Sequence, residues 1–175
     1  MPNRLRLMPV VVALVALTMT TACGQAPAPP PEPAAPTSPL QGVWSLTAVD
    51  PGDGSAVIDP SQAGLYIFGE GYYSAVYAPG AEARVPAGIA FQPTPEEMVA
   101  QHESIIVNTG TYEISGATVT FRPIIAKSPG FVGGQATSEF QIDGDTLKLT
   151  GRTVVATDGT SAPDVSGVLV LRRVE

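Results

Sequence analysis

The sequence predicts an all-β domain of roughly eight antiparallel strands in up-and-down order, closed into a barrel and carrying one short helical insertion. Three observations support this. Short runs rich in β-branched and aromatic residues recur after Leu40, bounded by Gly, Pro and Asp. Successive runs lie close enough to pair as hairpins, as around Gly69-Glu70-Gly71 and Asp143-Gly144-Asp145. After Leu40, a clear helix start occurs at Thr94 alone. An antiparallel sheet of this length is expected to curl and close, because closure removes exposed edges.

The first strand is Gly42-Val43-Trp44-Ser45-Leu46-Thr47-Ala48-Val49, which holds the only Trp. Trp44, Leu46 and Ala48 alternate with Ser45 and Thr47, the pattern of a strand with one buried face. Asp50-Pro51-Gly52-Asp53-Gly54 is a loop. Leu65-Tyr66-Ile67-Phe68 turns through Gly69-Glu70-Gly71 into Tyr72 to Tyr77, a hairpin that Pro79-Gly80 ends. Ala81 to Pro93 is a long loop. Thr94-Pro95-Glu96-Glu97 then combines an N-cap, Pro at the first helical position and a capping-box Glu, predicting a helix through Ser104. Strand punctuation resumes at Gly110. Thr111 to Ile114 and Thr118 to Arg122 make a second hairpin, and Pro129-Gly130 and Gly133-Gly134 mark a loop. Thr137 to Ile142 and Thr146 to Leu149 pair across Asp143-Gly144-Asp145, and Val168 to Arg173 is the last strand.

The residues before this domain have a different character. Arg4 and Arg6 form a positive start, Leu7 to Met19 an apolar run of 13 residues, and Thr20-Thr21-Ala22 a small-residue exit. This is the layout of a signal peptide over residues 1–22, and the run is too short for an ordinary membrane span. Cys23 follows directly and is the only cysteine, which excludes an internal disulfide. Ala22-Cys23 resembles the lipobox of bacterial lipoproteins, although Thr20 stands where that motif usually has Leu. The resemblance implies acylation of Cys23 and a membrane anchor; the alternative is an ordinary secreted protein with an incidental Cys. Gly24 to Pro39 carries 7 prolines in 16 residues. Residues 23–39 therefore read as an extended tether, on the order of 50 Å long at most, leading to a domain at 40–175.

Charge narrows the partners. With Arg4 and Arg6 in the leader, seven basic residues face sixteen acidic ones. Nucleic-acid binding is excluded as an expectation, because phosphate contacts need clustered Lys and Arg.

Taken in order, Gly42-Val43-Trp44, Gly69-Glu70-Gly71-Tyr72-Tyr73-Ser74, Thr94-Pro95-Glu96-Glu97, Gly110-Thr111-Tyr112-Glu113, Asp143-Gly144-Asp145-Thr146-Leu147 and Leu171-Arg172-Arg173-Val174 resemble the bacterial lipocalin-like domain. The resemblance spans nearly all of Leu40 to Glu175 and implies a calycin-type barrel. It implies that Gly42 and Trp44 belong to a narrow, closed end, with Arg173 lying across the Trp44 ring. Members of the family often carry an Arg near Ser138 and His residues near Phe121 and Arg122. These positions are less polar here.

Chemistry-bearing clusters are few. His102 is the only histidine and cannot supply a two-His metal site. With Glu103 and Ser104 it lies on one helix, which does not build a nucleophile–base–orienter geometry. Asp143 and Asp145 flank a glycine and read as a hairpin turn rather than a carboxylate pair. Gly133-Gly134 has no following Lys or helix, so it is not a phosphate loop. No catalytic residue, metal ligand or cofactor is expected. Tyr66, Phe68, Tyr73, Tyr77, Tyr112, Phe121 and Phe140 are the candidate ligand-binding residues, since barrels of this size either fill with side chains or hold one small ligand. The leading expectation is an envelope lipoprotein whose barrel binds a small apolar or amphipathic molecule. A packed interaction module without a ligand is the second. A cofactor-free isomerase or cyclase is the third, and it requires Glu113 or Glu139 to face inward as a general base.

Overall fold

Eight strands alternate in direction, each hydrogen-bonded to its sequence neighbours, and the last pairs with the first: a closed up-and-down antiparallel barrel. A computed structural model describes residues 38–163 and 165–174. The predicted leader, Cys23 and all of the tether except Ser38 and Pro39 lie outside the described residues. The strands are β1 (Gly42–Asp50), β2 (Leu65–Phe68), β3 (Tyr72–Tyr77), β4 (Ile106–Ser115), β5 (Thr118–Ala126), β6 (Gln135–Asp143), β7 (Thr146–Val155) and β8 (Val168–Arg173). Helix α1 (Pro95–Glu103) sits in the β3–β4 connection, and a single 3₁₀ turn covers Pro129–Phe131.

The connections sort the barrel into two ends. Gly69-Glu70-Gly71, Gly116-Ala117 and Gly144-Asp145 are tight turns, and all three lie at the end where β1 begins. Gly144 has φ +55°, the left-handed conformation a two-residue hairpin demands. The four long connections, 51–64, 78–105, 127–134 and 156–167, all lie at the opposite end.

The closed end is filled by side chains. Trp44, Phe68, Leu40, Leu147, Leu171 and Val119 are fully buried. The Trp44 indole N–H donates to the Leu40 carbonyl at 2.7 Å. The Arg173 guanidinium lies 4.0 Å from the Trp44 ring centre, and its Nη1 donates to the Gln41 carbonyl at 3.0 Å. Trp44 and Arg173 are cross-strand partners in the β1–β8 ladder, which sets the cation over the indole face. Tyr112 Oη donates to the Gly69 carbonyl at 3.0 Å, tying β4 to the β2–β3 turn.

Halfway up, three strands each gain an extra residue. The β1–β8 register shifts between Leu46 and Ala48, the β4–β5 register between Thr109 and Gly110, and the β6–β7 register between Thr137 and Ser138. The extra residues, Thr47, Ile124 and Arg152, all point outward and are exposed. A bulge reverses which alternate residues face inward beyond it. In β1 it brings Val49 to the interior where strict alternation predicts Ala48.

The bulges also explain two strand boundaries. The predicted hairpin starts after Gly110 and ends before Pro123, but β4 begins earlier, at Ile106, and β5 continues to Ala126. The two residues are cross-strand partners at the β4–β5 bulge. Pro123 has no N–H to give a ladder, so it is tolerated there. Gly110 is required because a Cβ would overlap the Arg122 carbonyl. β7 likewise extends past Leu149, through Gly151, to Val155.

Helix α1 ends one residue short of the predicted Ser104, which serves as its C-cap. Its capping box is complete: Glu97 N–H donates to Thr94 Oγ1 at 3.3 Å, and Thr94 N–H donates to Glu97 Oε2 at 2.8 Å. The helix buries none of its own residues.

Candidate functional site

Toward the open end the barrel is not filled. A cavity of about 470 Å³ opens at the end that carries the long connections. This lies within the range of small-molecule sites, which run roughly 300–1,000 Å³. Its wall is mainly apolar. Val49, Phe121, Leu149, Val154 and Leu169 come from strands, and Phe131 and Val165 from the connections above.

Three tyrosines form a column along β2 and β3. Tyr73 is nearest the closed end, Tyr66 stands across from Ala75 one level higher, and Tyr77 is toward the mouth. The Tyr66 and Tyr77 rings stack at 5.6 Å, and Tyr73 meets Phe121 edge-on at 4.8 Å. Burial pushes the Tyr66 phenol well above its ordinary value of 10.0, with the nearby Tyr77 and Tyr73 hydroxyls adding to the shift. Burial also raises Tyr73, and it raises Tyr77 against a smaller opposing hydrogen bond with Tyr66. All three are therefore neutral phenols at any physiological pH. They can orient a ligand by hydrogen bonding, but they are not bases.

Other polar groups are sparse. Asn108 and Ser138 reach the wall from β4 and β6. Among the described lining residues only Asp50 and Lys127 carry charge; Asp50 ends β1 and Lys127 follows β5, both at the open end. Asp50 Oδ1 already accepts from Gly52 N–H at 2.9 Å.

Of the seven aromatics expected to hold a ligand, the structure brings Tyr66, Tyr73, Tyr77 and Phe121 together around the cavity. Phe68, Tyr112 and Phe140 are not in its wall. Phe68 lies in the packed layer beneath, edge-on to Tyr112 at 5.3 Å, and Phe140 packs against the same core. Sequence reading missed Val49, Ala136, Ser138 and Leu169. Val49 is hidden by the bulge at Thr47. Ser138 and Leu169 lie on the inward alternation of strands the sequence had placed, whereas Ala136 precedes the predicted Thr137 to Ile142 because β6 starts earlier, at Gln135.

Glu113 and Glu139, the general bases the isomerase reading requires, both lie outside the barrel. Glu113 is 3.7 Å from Arg122, and Glu139 pairs with Arg152 at 2.6 Å on the outer face. That reading therefore loses its proposed base. His102 is exposed on α1 and does not line the cavity. Asp143 and Asp145 flank the β6–β7 turn at the closed end, away from the cavity. No group of three or more His, Cys, Asp or Glu among the described residues is placed to hold a metal ion.

No family model matches this chain, and no curated protein matches it. Among solved structures, the chain is similar to the crystal structure of an uncharacterized protein from Bacteroides eggerthii DSM 20697. That pair shares 12% identity over 76% of this chain and 98% of the other, with a TM-score of 0.43.

Proposed function

We propose that this protein is a bacterial envelope lipoprotein whose lipocalin-like barrel binds a small apolar or amphipathic molecule at its open end. The observation that carries the binding half is the cavity of about 470 Å³, walled by aliphatic and aromatic side chains and fitted with a few neutral polar groups. The arrangement is that of a small-molecule site, in which apolar walls supply affinity and sparse polar groups fix orientation. Support for the address is the order of residues alone: Arg4 and Arg6, an apolar run, Ala22, Cys23 and a proline-rich spacer. Two or more acyl chains on Cys23 would hold the protein firmly, since one chain alone binds a membrane marginally. Fluorescence titration of the purified protein with the neutral dye N-phenyl-1-naphthylamine tests the binding half. Saturable enhancement, competed by apolar solvent extracts of the native envelope, is expected. A dye signal that never saturates, with nothing released on extraction and native mass spectrometry, overturns it. Mass spectrometry of the mature N-terminus tests the address, and an unacylated end at any residue other than Cys23 would refute it.

One observation favours a second reading, an interaction module of the envelope. In the β3–β4 insertion Phe91 is fully exposed, and Val85, Ile89, Met98 and Val99 are more than half exposed. Crosslinking in intact cells that recovers a protein partner through Phe91 would support it.

A further inference from the structure

Charge in the cavity wall is confined to the rim, where Asp50 ends β1 and Lys127 follows β5. No other described lining residue is charged, and the wall below them includes Phe121, Leu149 and Leu169. An ionised group carried to that depth would be a buried charge without a countercharge, which is strongly disfavoured. A ligand with a charged head therefore leaves the head at the rim and leads with its apolar end.

The two rim charges are not neighbours. β1 and β5 stand four places apart in a closed ring of eight strands, so Asp50 and Lys127 occupy opposite sides of the mouth. Their surroundings differ in kind. Lys127 has a hydrogen-bonding side chain on either hand: Ser128 follows it, and Asn108 pairs with Ala126, the residue before it. All three line the cavity. The ion pairs among the described residues are Arg122–Glu113 and Arg152–Glu139, so Lys127 is not neutralised by a carboxylate of those residues. On the other side, Asp50 Oδ1 accepts from Gly52 N–H at 2.9 Å, and the adjoining Pro51 and Gly167 bring no polar side chain. The Lys127 side thus offers an anion one cation and two neutral hydrogen-bond groups. The Asp50 side offers a cation a single carboxylate that is already engaged.

We infer that the ligand is an amphiphile with one apolar end and a carboxylate head, that it enters apolar end first, and that Lys127 holds the head at the mouth. This rests on the reading of the cavity as a ligand site. Lys127 is a specificity determinant in this scheme, selecting an anionic head over a cationic one.

The test uses four ten-carbon probes, decanoate, decylamine, 1-decanol and decanedioate, as competitors of N-phenyl-1-naphthylamine on the full chain. At about pH 7.5 the acids are ionised and the amine is protonated. Decanoate is expected to compete at least about tenfold better than decylamine. It should also compete at least about tenfold better than decanedioate, whose second carboxylate would have to enter the apolar part of the cavity. These comparisons need no variant. Lys127→Met should weaken decanoate by about three- to tenfold, the span of a hydrogen bond to a charged group at a partly exposed site, while leaving 1-decanol unchanged. Decylamine or decanedioate competing as well as decanoate, a Lys127→Met protein that weakens decanoate and 1-decanol alike or neither of them, or a dye that binds and none of the four displaces would each overturn the inference while leaving an apolar binding site in place. Failure of the dye and all four probes to bind would instead remove the ligand-site reading itself.

Discussion

The two ends of this barrel are made from the same eight strands and differ in almost everything else. At the closed end the turns are short, alternation is strict, and Trp44, Tyr112 and Arg173 each donate a hydrogen bond to a backbone carbonyl. At the open end the connections are long, three bulges have reset the alternation, and the Tyr73 hydroxyl is unpaired. The difference separates stability from function. A filled layer of Trp44, Phe68, Leu147 and Leu171 supplies the burial that holds the barrel together. The layer above it can then remain open, because closure of the sheet has already satisfied the backbone.

The largest effect is expected at Trp44. Trp44→Ala removes a fully buried indole, its bond to Leu40 and the surface under Arg173. A loss of about 3–5 kcal/mol is expected, read as a lower denaturation midpoint or failure to fold. A variant with an unchanged midpoint would show that the closed end is not where stability resides.

The tyrosine column gives a second, pH-dependent test. The folded phenols of Tyr66, Tyr73 and Tyr77 all sit above their ordinary value of 10.0. Below that value each is protonated in both folded and unfolded chains, so the stability they confer is fully present. As pH rises past it, the unfolded chain ionises and the folded barrel does not. Each such phenol then favours unfolding by up to about 1.4 kcal/mol per pH unit. The denaturant midpoint should stay level with respect to these groups up to about pH 9.5 and fall beyond it, with a shallower fall in Tyr73→Phe. Ultraviolet titration of the folded protein should show fewer than all five tyrosines ionising near pH 10. If all five do so with the fold intact, the column is not buried as described.

A third test works on the open end alone. Ala136 lines the cavity, level with Phe121 across the β5–β6 ladder. Ala136→Phe should occupy the space a ligand needs, weakening N-phenyl-1-naphthylamine by at least about tenfold, while stability is unchanged or rises by about 0.5–2 kcal/mol, as cavity filling commonly does. A loss of stability matching that of Trp44→Ala would mean the two layers are one cooperative core and the division drawn above is false.

The same division decides what was legible in the sequence. At the closed end, Trp44 and Leu46 alternate without interruption, and Gly69-Glu70-Gly71 and Asp143-Gly144-Asp145 have the chemistry their turns demand. Strand count, order and the helix start at Thr94 were therefore readable. At the open end, the inward placing of Val49, Ala126 and Val154 depends on bulges at Thr47, Ile124 and Arg152, and nothing in those side chains announces one. Gly110 was visible as punctuation, but a glycine signals a strand end as readily as a bulge. The aromatics were readable as strand residues, about half of them facing inward, but which half was not readable. Which of them face space rather than one another depends on their height in the barrel, a consequence of register that residue type does not carry. Phe68 and Tyr66 are two residues apart on one strand, and only the second meets the cavity.

The smallest effect expected is also the most local. Thr94 caps α1 through a complete capping box, and Glu97 holds Gly88 as well, donating nothing and accepting from its N–H at 2.9 Å. Removing such a cap costs an isolated helix about 1 kcal/mol. Yet α1 buries none of its residues, and it is tied to the preceding loop by polar contacts, from Arg84 to Ser104 and to the Gln101 carbonyl. The helix can therefore fray without loosening the strands. Thr94→Ala should speed amide hydrogen exchange from Glu97 to Ala100 while exchange in β1, β4 and β8 and the global denaturation midpoint stay where they were. A fall in that midpoint would tie the insertion energetically to the barrel, and would mean that the open end contributes to holding the fold as well as to admitting a ligand.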